Sequence, residues 1–316
     1  MALKITKSTD TIKVENLKVL VYGQPSSGKT TLSFTSKKAL LLDFDNGAYR
    51  SGNRGDSVQV DTWSDVVGIS EEDLKVYDTI IIDTAGQMLN CISNHIKAHH
   101  PNSVKRDGDI SIQGYGMLKS IFESYMSKLI AIRKDVIIIA HDREISKEIL
   151  VNNGYRKTKE RVTYIQPDIS GGSLQFVKRA MDLMGYISFD GGNRVLDFNP
   201  SELTIGKNSA GLPPLKIPNI TNTEFEGFLD GVLTRSKEYI NQQSLNGKSF
   251  FDFKKKISDI ESPEMCDALL SEADKLKDEG LKRQVKILLL DKSQELNLAF
   301  DKISGKFFQT TQNKEA

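Results

Sequence analysis

The chain has 316 residues, enough for a large domain and a smaller one. Hydrophobic residues make up 38% and charged residues 27%, which excludes wholesale disorder, and a formal net charge of +1 leaves any nucleic-acid surface to a local patch. Two cysteines without CxxC spacing, no apolar leader after Met1 and no apolar stretch of membrane-spanning length suit a cytoplasmic chain better than a secreted, zinc-bound or membrane one.

Residues 1–16 are polar, with the alternation of an edge strand at 11–15. Residues 18–22, Lys-Val-Leu-Val-Tyr, read as a buried strand. It runs into Gly23-Gln24-Pro25-Ser26-Ser27-Gly28-Lys29-Thr30, followed by Thr31, which fits G-x-x-x-x-G-K-[ST] at every specified position. A short helix to about residue 37 comes next. Strand, glycine loop and helix start make a phosphate cradle. The glycines permit the tight path that turns backbone N–H groups inward, Lys29 reaches the β- and γ-phosphates, and the Thr30 hydroxyl holds Mg2+.

Residues 39–45 are an apolar strand closing on acids, before an Asn46-Gly47 turn. A short strand is expected at 58–60, and Ser64 caps a helix ending before Tyr77. Residues 79–83, Thr-Ile-Ile-Ile-Asp, have the Walker B form. A helix at 89–99, a polar loop at 101–116, an amphipathic helix at 117–133 and a strand at 136–140 ending at His141-Asp142 follow. Strand and helix alternate, which argues a parallel α/β sheet. Beyond Glu144 the pattern becomes antiparallel. Residues 148–151 and 161–164 form a hairpin across Asn152-Asn153-Gly154, Gly171-Gly172 leads into a helix at 173–183, and 185–189 pair with 194–198. Pro213, Pro214 and Pro218 close this core, 1–218. Residues 219–316 read as all-helical, with helices at 225–242, 250–260, 263–277 and 281–300 and a polar, frayed end at 309–316.

Together the two motifs define a Mg2+-dependent nucleoside triphosphatase, with Asp83 anchoring the metal. Asp83 is followed by Thr84 rather than glutamate, so the carboxylate that orients water comes from elsewhere. Asp45, just past the C-terminal end of its strand, is the candidate; the competing reading is a turn acid. His141 is either a γ-phosphate sensor or a histidine satisfied at the edge of the core. Lys207, in a glycine-flanked loop, is either a solvated lysine or a cation carried into a neighbouring subunit's site. His95 and His99 share a helix face, but no third ligand accompanies them.

Asp43-Phe44-Asp45 resembles the Asp-x-Glu segment of RecA-like recombinases, one methylene shorter at the final acid. Ser170-Gly171-Gly172-Ser173-Leu174-Gln175-Phe176 is similar to the Thr-Gly-Gly-Asn-Ala-Leu-Lys-Phe stretch that closes their second DNA loop, with one residue deleted. Where they carry an asparagine-glutamine pair, this chain has His141-Asp142. More closely, residues 1–218 resemble the phage-encoded RecA-like nucleotide-binding proteins of the AAA_24 type, some of which anneal single strands. In those, an Ala-His pair ends the same strand, and a Gly-Lys followed by Leu-Pro recurs near the domain end.

The resemblance implies a RecA-like ATPase core with a parallel-rich sheet, followed by a small helical region. It implies ATP and Mg2+ as cofactors, self-association with nucleotide between subunits, and Lys207 completing a neighbour's site. It further implies single-stranded DNA on two loops, one offering Lys105 and Arg106, the other Arg143, Lys147, Arg156, Lys157, Lys159 and Arg161 with Tyr155 and Tyr164 interleaved. The function so implied is ATP-dependent annealing or recombination. The alternative is a P-loop ATPase that loads or assembles a protein partner through its helical tail without touching DNA. A small-molecule kinase is a weaker third reading, since no acceptor-site signature is visible.

Overall fold

In the computed structural model, which describes residues 5–7, 10–152 and 157–310, the apolar runs become the middle of a ten-stranded sheet. The first half alternates: β1 (Lys18–Gly23), α1 (Lys29–Ser33), β2 (Ala39–Asp43), β3 (Asp56–Gln59), α2 (Ser64–Val67), β4 (Thr79–Asp83), α3 (Ala85–His99) and α4 (Ile112–Ala131). Next come β5 (Asp135–Asn152), β6 (Lys157–Pro167), α5 (Gly171–Ala180), β7 (Leu183–Asp190), β8 (Asn193–Asp197), β9 (Lys207–Asn208) and β10 (Leu215–Ile217). The strand order is β10-β8-β7-β1-β5-β4-β2-β3, with β6 on β5 and β9 on β7. Pairings from β3 through β7 are parallel, while β7–β8 and β8–β10 are antiparallel. This is the parallel-rich α/β core expected from the alternation of strand and helix.

All residues of β4 are buried, and Val136 through Ala140 of β5 are fully enclosed. A continuous apolar run of this kind is what a parallel strand covered on both faces requires. Parallel pairing brings the C-terminal ends of β1, β2, β4 and β5 to one edge. There the register sets Gly23 beside His141 and Asp43 beside Asp83.

Several boundaries differ from expectation. Residues 11–15 form no strand. Helix α3 begins at Ala85 because Thr84 caps it, its Oγ1 accepting from Gln87 N at 3.3 Å; α4 begins at Ile112 because Ser111 does the same for Gly114 N at 3.2 Å. Helices α1 and α2 are single short turns, and Ser64 is the first residue of α2 rather than its cap. Helix α5 stops at Ala180, and Leu183 already belongs to β7. Strand β5 does not end at His141. It continues unbroken into a ribbon with β6, from Asp142 opposite Pro167 to Asn152 opposite Lys157. The hairpin is thus present, while Asn153 and Gly154 of its expected turn lie outside the described residues.

The chain divides into a larger unit, Val14–Tyr239, and a smaller one made from the described parts of Met1–Lys13 and Ile240–Ala316. The boundary therefore falls inside a helix, α6 (Phe228–Ser258), rather than at residue 218. Phe225, Leu229, Val232 and Leu233 are buried at helical spacing, and Leu229 N donates to Thr35 Oγ1 at 2.9 Å, so the first turns of α6 belong to the α/β unit. The two helices expected at 225–242 and 250–260 are one helix of 31 residues that runs straight through Asn246-Gly247.

In the smaller unit, Phe253 and Ile257 of α6 pack with α7 (Pro263–Asp274) and α8 (Glu279–Glu295) through Cys266, Val285 and Leu289. This unit is not all-helical. A hairpin, β11 (Leu298–Asp301) with β12 (Lys306–Gln309), replaces the end of the last expected helix. The Asp301 carboxylate ends the strand by accepting from Ile303 N at 2.9 Å and Ser304 N at 3.1 Å, a local turn that competes with helix. Among the described residues no helix is long and apolar enough to cross a membrane.

Candidate active site

The glycine loop leaves β1 at the centre of the sheet and returns through Gly28. Gly28 has φ 87°, a left-handed conformation, and a Cβ there would stand 2.3 Å from Nη1 of Arg194 on β8. The left-handed backbone favours glycine, and the Arg194 guanidinium packs close against it. The next residue, Lys29, is 5% exposed. Its Nζ donates to the carbonyls of Gly23 at 2.9 Å and Gln24 at 2.7 Å, which folds the ammonium back over the loop. Burial pulls its pKa down, and the carboxylates of Asp83, Asp142 and Asp45 oppose that shift.

Thr30 Oγ1 donates to Asp83 Oδ2. Asp83 is 6% exposed, and burial pushes its carboxyl up to about 6; the Thr30 bond opposes the shift, and the charges of Asp45 and Asp43 add to it. The peptide between Asp83 and Thr84 is cis.

The two acids at the end of β2 do different things. Asp43 accepts from Gly47 N at 3.1 Å and Ala48 N at 2.8 Å, and so holds the turn. Asp45 is fixed by its backbone: its own N and that of Phe44 donate to the Asp83 carbonyl at 3.0 and 2.8 Å. That leaves the Asp45 carboxylate free to face the site, where Arg50 Nη1 lies 3.7 Å away.

His141, opposite Gly23, has its pKa lowered by burial and by Lys29, against the pull of Asp45, Asp142 and Asp168. Its Nδ1 is buried, and among the described residues it has no hydrogen-bond partner. A cavity of about 440 Å³ gathers these groups: Pro25 to Thr31 of the loop, apart from Ser27, with Asp45, Gly47, Arg50, Ser51, Asp83, Thr84 and His141.

Lys207 takes another place. It sits on β9, and its Nζ donates to the carbonyls of Lys178 and Arg179, at 3.4 Å each, and of Met181. These are the carbonyls at the C-terminal end of α5, where a cation offsets the helix dipole. Within this chain the ammonium is thus held at the end of α5.

The basic candidates are divided between two surfaces. Lys105 and Arg106 are exposed on a tight turn between α3 and α4, closed by Lys105 N to Asp109 O at 2.7 Å. Arg143, Lys147, Lys159 and Arg161 lie on the β5–β6 ribbon; Lys157 opens β6, while Arg156 and Tyr155 lie outside the described residues.

Arg50, Ser51, Thr84 and Arg194 were not singled out in the sequence. For Thr84 a signal existed: Thr84-x-x-Gln87 is a capping-box pattern directly after the Walker aspartate. Arg194 offered none, since strand pairing alone brings β8 within reach of the loop.

A glycine loop between a central parallel strand and a helix, with a strand-end aspartate beside the loop's threonine, defines a P-loop nucleoside triphosphatase with a RecA-like core. Residues 15–210 match the family model described as AAA domain, AAA_24. The match covers more than half of the chain, which belongs to that family. Among solved structures it is similar to a KaiC-like protein from the hyperthermophilic archaeon Pyrococcus horikoshii, at 9% identity and a TM-score of 0.30, over 59% of this chain and 86% of that one. No curated protein matches it.

Proposed function

We propose that this protein binds ATP with Mg2+ in the cavity at the end of β1, β2, β4 and β5, hydrolyses it, and uses the bound state to control single-stranded DNA on the β5–β6 ribbon. The Thr30 hydroxyl and the Asp83 carboxylate are adjacent oxygen donors of the kind a hard divalent cation takes, and the buried Lys29 ammonium beside them suits a phosphate tail. Thr30 and Asp83 would hold the metal, which neutralises developing charge on the phosphates. Asp45 would orient the attacking water, and His141 would sense the terminal phosphate with its buried Nδ1.

The observation that carries the DNA reading is the continuity of β5. One strand of 18 residues passes from the cavity wall at His141 into the ribbon. Alternation along the strands sorts the ribbon's charges by face. Arg143 and Lys147 share a face with Tyr164; Lys147 Nζ lies 5.5 Å from the Tyr164 ring centroid, and Arg143 Nη1 makes a long contact of 3.9 Å with Asp168. The other face carries Glu144, Glu148, Lys159 and Arg161, with Lys159 paired to Glu148 at 3.1 Å. The first face offers cations beside an aromatic ring, which suits phosphates and stacked bases.

A gel shift with a single-stranded oligonucleotide over a salt series tests this. Lys147→Ala and Tyr164→Ala are each expected to weaken binding by about tenfold, with Arg161→Ala close to wild type. Equal loss from both faces would overturn the assignment to the Tyr164 face, and no shift at low salt, or wild-type binding in every variant, would sink the DNA reading. Self-association with nucleotide between subunits, and annealing or recombination in a phage setting, belong to the same proposal. Lys207 has no part in it.

A second reading, a protein partner for the tail, is favoured by one observation. On the β11–β12 hairpin, Ile303 is 98% exposed, with Phe300 and Phe308 also partly exposed. Ile303→Ser that leaves DNA binding intact but abolishes function in the cell would favour it.

The Asp83 shift sets a pH dependence. Its folded pKa lies above the unfolded value, so the folded chain prefers the protonated acid. Without metal, the contribution is neutral below pH ~4, turns unfavourable as pH rises to about 6, and then stays at a penalty on the order of 2–3 kcal/mol. Asp83→Asn is expected to raise the Tm of the metal-free protein by several degrees at pH 7.5 and not at pH 4. Mg2+ must displace the same proton, so wild-type Mg2+ affinity is expected to fall below a pH of about 6.

A further inference from the structure

Arg50 occupies a position that the reading above leaves without a role. It ends a short 3-10 turn, Ala48–Arg50, that follows β2 and is braced on its N-terminal side. Asp43 holds the amides of Gly47 and Ala48, and the Asp83 carbonyl holds those of Phe44 and Asp45. The backbone on that side is pinned by these bonds, whereas the Asp45 and Arg50 side chains are held to each other only by a long contact. They meet across Gly47, where a Cβ would approach Asp45 Oδ2 to 3.1 Å and Arg50 Cζ to 3.6 Å. The pair therefore closes over bare backbone, on the wall of the cavity that also holds Lys29 and Thr30.

The contact is a loose one. Its Nη1···Oδ2 distance is 3.7 Å, the Arg50 side chain is 59% exposed and that of Asp45 26%. Exposed pairs of this kind are weak and readily exchanged. Arg50 Nε also donates to the Tyr49 hydroxyl at 3.1 Å, which keeps the guanidinium on this side of the turn. A guanidinium is a fork that phosphate oxygens satisfy in two bonds, whereas here it has one distant carboxylate oxygen, the Tyr49 hydroxyl and the Tyr49 ring 5.2 Å away.

We propose that Arg50 is a phosphate-binding residue held in reserve by Asp45. Without nucleotide the two side chains pair. A bound triphosphate takes the guanidinium, and the Asp45 carboxylate is released to hold water. This rests on the proposal that ATP binds in this cavity. It makes Asp45 and the phosphate tail competitors for one cation.

Competition has a signature that charge repulsion lacks. Titration calorimetry of the full-length chain with a non-hydrolysable ATP analogue and Mg2+ reads it out. Arg50→Ala is expected to weaken binding about tenfold. Asp45→Asn is expected to tighten it about three- to fivefold, and in the double variant that gain disappears, leaving the affinity of Arg50→Ala alone.

An Asp45→Asn gain of equal size in both backgrounds would mean simple repulsion between carboxylate and phosphate and would overturn the proposal, as would wild-type affinity in Arg50→Ala. Arg50→Gln, with melting curves for all variants, guards against a folding defect. Failure of the underlying reading looks different: the wild type would not bind the analogue, or Lys29→Ala would bind it as wild type does.

Discussion

Lys29→Ala is expected to abolish ATP binding, with an affinity loss of at least about 100-fold by titration calorimetry. Lys29 is 5% exposed and its ammonium is held above the loop by two of the loop's own carbonyls, so it would meet a phosphate tail from a fixed, dry position. Burial works against its charge, and Asp83, Asp142 and Asp45 sustain it. A phosphate tail would supply the compensation that these carboxylates give only in part, which is why the loss should be large. Alanine also leaves the Gly23 and Gln24 carbonyls without this donor, so a circular dichroism spectrum belongs with the measurement. Retained affinity in a folded Lys29→Ala protein would remove the nucleotide from this cavity.

Asp45→Asn is expected to keep ATP bound and to slow phosphate release by roughly 100- to 10,000-fold. Of the acids near the loop, Asp43 is occupied by the amides of Gly47 and Ala48, and Asp83 is engaged by Thr30. Asp45 is the carboxylate on the cavity whose backbone is anchored and whose side chain is not. Asparagine keeps its shape and removes its capacity to accept a proton from water. An unchanged steady-state rate would acquit Asp45 and turn attention to His141, which shares the cavity and carries a buried ring nitrogen without a partner among the described residues.

These expectations rest on groups that were unequally visible in the sequence. The phosphate loop and the Walker B strand were legible because each is a short contiguous pattern whose chemistry follows from residue type and spacing. Asp45 was legible as a strand-end acid, and the geometry separates it from Asp43, which differs only in what the turn asks of it. His141 was placed by its apolar strand, but only the register of β1 with β5 sets it beside Gly23. Arg50 was not legible. Nothing local marks an arginine in a turn as lining a cavity whose other walls come from the loop, β4 and β5. Lys207 was legible only as a lysine between glycines; that its partners within the chain are carbonyls at the C-terminal end of α5 follows from the fold.

By itself the sequence determined the parallel α/β core, its strand-to-loop-to-helix phosphate cradle and the identity of the acids around it, because apolar runs, glycine positions and strand-end aspartates act through local backbone preference and burial. Only the tertiary structure decided which acid faces the cavity, that β5 runs unbroken from cavity to ribbon, and that α6 crosses from one unit to the next. Each of these depends on strand register or on packing between residues distant in the chain, where free energy is shared among partners that no single stretch contains.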